Sequence, residues 1–117
     1  MRIKFNYKDK EVFLQGQECK SFFSKLRGLM FRSKNFNKNL IFLFEKPTKT
    51  PIHSFFCFQK FLGIWLLNNK VVDVKVVKPW VWCVRPKQKF DMLIEIPLRS
   101  EILISNFIDG KQKHLKT

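Results

Sequence analysis

One stretch limits this chain more than any other: Phe61-Leu62-Gly63-Ile64-Trp65-Leu66-Leu67-Asn68-Asn69-Lys70, followed by Val71 to Val77. Its first part is an apolar run from Phe61 to Leu67, within which Ile64 to Leu67 reads as a strand bounded by a turn signal. Asn68-Asn69 can take positive φ and so suits a tight hairpin turn. The return segment is rich in β-branched valine, which packs well on a pleated surface. The run from Phe61 is far too short to span a bilayer. A hairpin is the expectation, and it sets a β-rich class for the rest.

Other segments agree. Residues 2–7 alternate, with Ile3, Phe5 and Tyr7 on one face and Arg2, Lys4 and Asn6 on the other. Asp9-Lys10 reads as a turn and Val12 to Leu14 as a returning strand, broken at Gly16. Leu40 to Phe44, Ile52 to Phe58 and Met92 to Ile96 read as strands, and Trp80 to Val84 as a short edge piece. Between Glu18 and Met30 the period changes. Phe22, Leu26, Leu29 and Met30 fall at helical spacing, with acidic Glu18 near the start and Arg27 near the end, as the helix dipole favours. Ser100 is a cap for a second, short helix to Asn106, ahead of a basic tail. The fold expected is mainly β within the α+β class. It is a compact, barrel-like sheet of about six to eight short strands with one main helix near residues 18–30. With 117 residues and no linker, the chain reads as a single domain.

Apolar residues make up 45% of the chain, which is enough for a core and too much for disorder. The formal charge is +14. One reading is a polyanion partner, which makes nucleic acid the candidate. The other is nucleotide bias, because Phe, Lys, Asn and Ile use AT-rich codons and alanine is absent. Lysines from Lys4 to Lys111 span the whole sequence, as bias would produce. Cys19, Cys57 and Cys83 are odd in number and widely spaced, which suits reduced thiols in a cytoplasmic protein. No metal-ligand spacing, cofactor fingerprint or apolar signal core occurs.

Five motifs occur in order: Arg27-Gly28-Leu29-Met30, Ile52-His53-Ser54-Phe55-Phe56, Ile64-Trp65-Leu66-Leu67 with its turn, Lys78-Pro79-Trp80, and Leu93-Ile94-Glu95-Ile96-Pro97. This series resembles the archaeal and bacterial family catalogued as domain of unknown function 192, over residues 18–112. The resemblance implies a β-rich domain and brings no activity with it. Three departures stand out. The family's aspartate before the apolar strand is Gly63 here, its methionine after the paired aromatics is Cys57, and its Pro-Ala-Gly is Pro97-Leu98-Arg99.

Candidate chemistry is sparse. His53 is either a proton carrier or a sheet-edge histidine. Glu95 shares a face with Leu93 and Pro97, so it is either a solvated strand residue or a carboxylate paired with Arg27 at a cleft. Asp73 reads as solvent-exposed. Trp80, after Pro79, is the aromatic expected to be partly exposed. His53, Glu95, Trp80 and Arg27 form the candidate cleft. Lys25, Arg27, Arg32 and Lys34, with Arg85, Lys87 and Lys89, form the candidate basic patch. No nucleophile elbow, phosphate loop or carboxylate pair is present, so enzyme is the least favoured class. A non-catalytic binding module with an unassigned ligand leads, ahead of sequence-independent nucleic-acid binding. Oligomeric state is not legible.

Overall fold

The computed structural model describes residues 1–19, 38–54 and 56–98. They form seven strands: β1 (Arg2–Tyr7), β2 (Lys10–Gln15), β3 (Gln17–Glu18), β4 (Leu40–Thr48), β5 (Phe61–Leu67), β6 (Lys70–Val77) and β7 (Phe90–Pro97). All belong to one sheet, in the order β2-β1-β6-β5-β7-β4-β3. The architecture is a half-barrel.

The hairpin signal at Asn68-Asn69 is realised, with φ of 53° and 65° at the two turn residues. β5 and β6 pair antiparallel from Phe61 with Val77 to Leu67 with Lys70, with one irregularity between Trp65 and Leu66. β5 is central, flanked by β6 and β7, and is buried from Phe61 to Leu66. A strand covered on both faces has no need to alternate, which explains its unbroken apolar run. Lys8 and Asp9 form the β1–β2 turn, again with both φ positive.

β2 and β3 lie at opposite edges of the sheet, although only Gly16 separates them in sequence. The segment therefore pairs with β1 on one side and, through Gln17–Leu40 and Glu18–Ile41, with β4 on the other. That continuity obliges the sheet to curl. Gly16 sits at the corner, where a Cβ would lie 2.8 Å from the Asn39 carbonyl oxygen.

Two apolar clusters follow from the curl. Ile3, Phe5, Ile41, Leu62, Ile64, Leu66, Ile94 and Ile96 form one cluster, joined by half-buried Val12 and Leu14 of β2. Leu40, Phe42, Phe61, Trp65, Phe90 and Leu93 form the other with Cys19 and Cys57. The β4–β5 and β6–β7 connections add Ile52 and Val84 to this second cluster.

Three expectations are corrected. No helix occurs among the described residues, and Glu18, expected near a helix start, is paired in β3. The remainder of the proposed 18–30 helix, and the second helix from Ser100, lie outside the described residues beyond Cys19. The strand expected from Ile52 to Phe58 reduces to one bridge, Ile52 with Val84, and the edge piece at Trp80 to Val84 reduces to the other half of that bridge. Backbone partners explain the change, because Ser54 turns the chain instead of extending it. Among the described residues no helix is long and apolar enough to cross a membrane.

Candidate functional site

Register places Glu95 opposite Leu40 of β4 on one side and Gly63 of β5 on the other. Lys75 of β6 is the next residue in this row, opposite Gly63. Gly63 is needed there because the Trp65 ring lies across it, and a Cβ would come 3.0 Å from that ring. Glu95 is thus set beside Leu40, Leu93 and the Trp65 region, on the face of the second cluster. It is 6% exposed, and its Oε1 has no hydrogen-bond partner. Burial pushes its carboxyl up to about 8, so it is protonated at neutral pH. The expectation of a solvated Glu95 is therefore corrected: alternation found its face, but that face is covered.

Cys57 is buried in the same cluster. Its thiol is pushed up to about 12, first by burial and then by the charge of Glu95 when that group ionises. It is a poor nucleophile at neutral pH. Cys19 and Cys57 are buried free thiols and Cys83 is an exposed one.

Asp73 is also buried, against the expectation of exposure. Its Oδ1 accepts the Val74 amide and its Oδ2 accepts the Lys87 amide at 2.9 Å. Lys75 lies 3.8 Å from Asp73 Oδ2 and donates to the Arg85 carbonyl at 2.6 Å. These two side chains fasten the basic stretch Arg85 to Lys89 to β6. The carboxylate replaces water with two backbone donors and a cation, which is what a buried charge requires.

Ser54 organises the other half of the rim. It is fully buried. Its hydroxyl donates to the Lys78 carbonyl and accepts the Val81 amide at 2.7 Å. Its carbonyl accepts the amides of Cys57 at 3.1 Å and Trp80 at 2.8 Å, and its own amide donates to Val81 at 3.0 Å. The β4–β5 and β6–β7 connections are laced together at this serine and at the Ile52–Val84 bridge. It lies within the Ile52-His53-Ser54-Phe55-Phe56 motif, whose histidine was the candidate instead. The only available signal was a small hydroxyl residue between His53 and the aromatics.

Phe56 and Trp80 stand on this lacing with φ of 59° and 63°. Their rings meet edge to face with centroids 4.9 Å apart. Around them Phe58 is 46% and Trp82 76% exposed. Lys78, Arg85, Lys87 and Lys89 are exposed on the same connection, and residues 78–89 contain no acid. His53 is exposed beside Ser54, on a loop and not on the strand expected. Of the proposed cleft, Trp80 shares the Ser54 carbonyl with Cys57, whose thiol feels the charge of Glu95, while Arg27 lies outside the described residues. Lys25, Arg32 and Lys34 lie outside them too, so only the Arg85, Lys87 and Lys89 half of the basic patch is described.

No family model matches the chain. Among solved structures, a protein of unknown function from Novosphingobium aromaticivorans superposes with a TM-score of 0.69 at 14% identity, covering 82% of this chain and 71% of that one. A Sinorhizobium meliloti protein provisionally assigned as a transcription regulator gives 0.69 at 11% identity, covering 99% and 84%. At such identities the likeness is one of fold. Sequence relatives are nearer. A UPF0127 protein of Pyrococcus furiosus is 31% identical over 91 residues, covering 77% of this chain and 78% of its own length. Another, from Pyrococcus horikoshii, is 35% identical over 78 residues, covering 66% and 67%. On that similarity and coverage, the chain belongs to UPF0127, an uncharacterised conserved family.

Proposed function

We propose that the protein is a non-catalytic binding module whose ligand lies against the rim made by the β4–β5 and β6–β7 connections. One observation carries this reading: Phe56 and Trp80 both hold left-handed backbone conformations. For a bulky side chain such a conformation costs about 1–3 kcal/mol and persists only where the surroundings enforce it. Here the strain is not offset by burial, since the two rings are 42% and 53% exposed. Strained, exposed and rigidly held aromatics suit a partner with flat or apolar groups. Glu95 and Cys57, both neutral at pH 7, put no negative charge beneath that rim. The domain of unknown function 192 pattern is proposed as a second description of the same fold unit.

Sequence-independent nucleic-acid binding is the second reading, favoured by the four cations and absent acids of residues 78–89. Amide chemical shifts followed during titration with a short DNA test both readings. Changes confined to residues 52–60 and 78–89 support the rim as the binding surface. Changes centred on the β1–β2 hairpin would overturn it. For duplex DNA the log–log salt slope is about −0.9 per phosphate neutralised, and a salt-insensitive affinity would remove the nucleic-acid reading.

A further inference from the structure

Two features of the rim, flat rings and positive charge, occupy the same short connection. Trp80 and Trp82 are separated by one residue and are 53% and 76% exposed. Lys78 precedes them, and Arg85, Lys87 and Lys89 follow. We propose that this connection binds single-stranded nucleic acid, with bases stacked on the exposed Trp82 and Trp80 and phosphates held by the flanking cations. The inference rests on the nucleic-acid reading above and narrows it from any polyanion to an unpaired strand.

The choice of a single strand comes from which groups protrude. A duplex hides its base faces and offers phosphates and groove edges, so it has no use for an exposed indole face. An unpaired strand presents both a phosphate chain and free π-faces, and proteins that bind one combine a basic track with stacking side chains. The order within the loop fits that pairing, because the indoles lie between Lys78 and the Arg85–Lys89 cations. The anchoring fits as well. Trp80 is fixed by its amide bond to the Ser54 carbonyl and by the edge of Phe56. The basic stretch is fixed by Asp73 and Lys75. Stacking rewards rings and charges held in place before contact, whereas an anionic membrane surface makes no such demand, since mobile aromatics enter it equally well. A rigid rim therefore favours bases over lipid.

The test uses the full chain and four probes: a ten-nucleotide oligothymidine, the same strand with abasic spacers replacing the bases, a ten-base-pair duplex, and vesicles of phosphatidylserine and phosphatidylcholine. Tryptophan fluorescence reports binding at two salt concentrations. The expected result is quenching by the oligothymidine, with affinity at least about tenfold above that for the abasic strand and the duplex. Trp82→Ala, at a site exposed enough to spare the fold, should weaken binding about five- to 100-fold. The double change Lys87→Ala and Lys89→Ala should flatten the salt slope by about one, at about 0.7 per phosphate on a single strand. Lys10→Ala, at the far end of the sheet from this loop, should change neither. Equal affinity for the abasic strand, or for the duplex, would overturn stacking while leaving a basic nucleic-acid surface intact. Binding to vesicles alone would overturn the nucleic-acid partner, and binding to none of the four would overturn the nucleic-acid reading of the rim as well.

Discussion

Glu95 makes stability depend on pH in an unusual direction. In the unfolded chain its carboxyl has an ordinary value near 4.5, while in the folded protein it is about 8. Between these values the folded state holds a proton that the unfolded state has released. Stability therefore falls as pH rises through this window, by at most about 1.4 kcal/mol per unit, and levels off above it. Glu95→Gln should flatten the slope between pH 5 and 8, as urea midpoints at several pH values would reveal. An unchanged slope would mean that the group titrates normally. At Cys57, burial predicts resistance to alkylation. In the native protein only Cys83 should react quickly with a thiol reagent at pH 7.5, and all three cysteines should react in denaturant. The side of the strand that Glu95 occupies was legible from alternation with Leu93. Its burial was not, because alternation cannot say whether the second face of a sheet is covered. That cover comes from connections distant in sequence, as it does for Asp73. Gly63 was legible only as a departure from a family pattern; its cause is the Trp65 ring lying across it.

Among the elements, the hairpin of β5 and β6 was the easiest to read, because turn chemistry and β-branching pointed the same way. The β4–β5 connection was the hardest. Ile52 to Phe58 has the composition of a strand, yet its backbone bonds go to a serine-centred turn and one bridge. Propensity here is overridden by local hydrogen bonding, as polar side chains that bond to backbone often bring about. Ser54→Ala should remove both hydroxyl bonds and leave the half-buried Val81 amide without its partner. The expected cost is about 1–3 kcal/mol, read as a lower denaturation midpoint with a changed near-ultraviolet signal from Trp80. A midpoint within error of the wild type would show that the serine is not the organiser. Asp73→Asn keeps the shape but weakens the acceptor for Lys87. Amide exchange at Lys87 should accelerate while that in β5 stays slow, and equal protection in both proteins would remove Asp73 as the anchor of the basic stretch.

For the molecule as a whole, β-rich class and an approximate strand number were legible, whereas closure was not. Nothing in the residues from Lys10 to Glu18 announces that one segment serves both edges of a sheet. The physical reason is non-local, since β3 has a partner only once β4 has folded against it. Gly16→Ala would drive a methyl group into the Asn39 carbonyl, and backbone cannot yield as a flexible side chain can. A loss of about 1–3 kcal/mol is expected, with the Cys19 and Ile41 amides exchanging faster, and wild-type exchange there would refute the corner. The same corner has a mechanical consequence. β1 meets β6 through one register pair, Asn6 with Lys70, and one bond from the Asn6 amide to the Asn69 carbonyl. β3 joins β4 through two parallel pairs, whereas β4, β5, β6 and β7 are stitched by longer antiparallel ladders. A force that moves the β1–β2 hairpin as a unit would load that single stitch and the two β3–β4 pairs before the ladders of β5. The first two strands would peel away as a flap while β5 and its neighbours still held, so the point at which the sheet yields is written into where its pairing is thinnest.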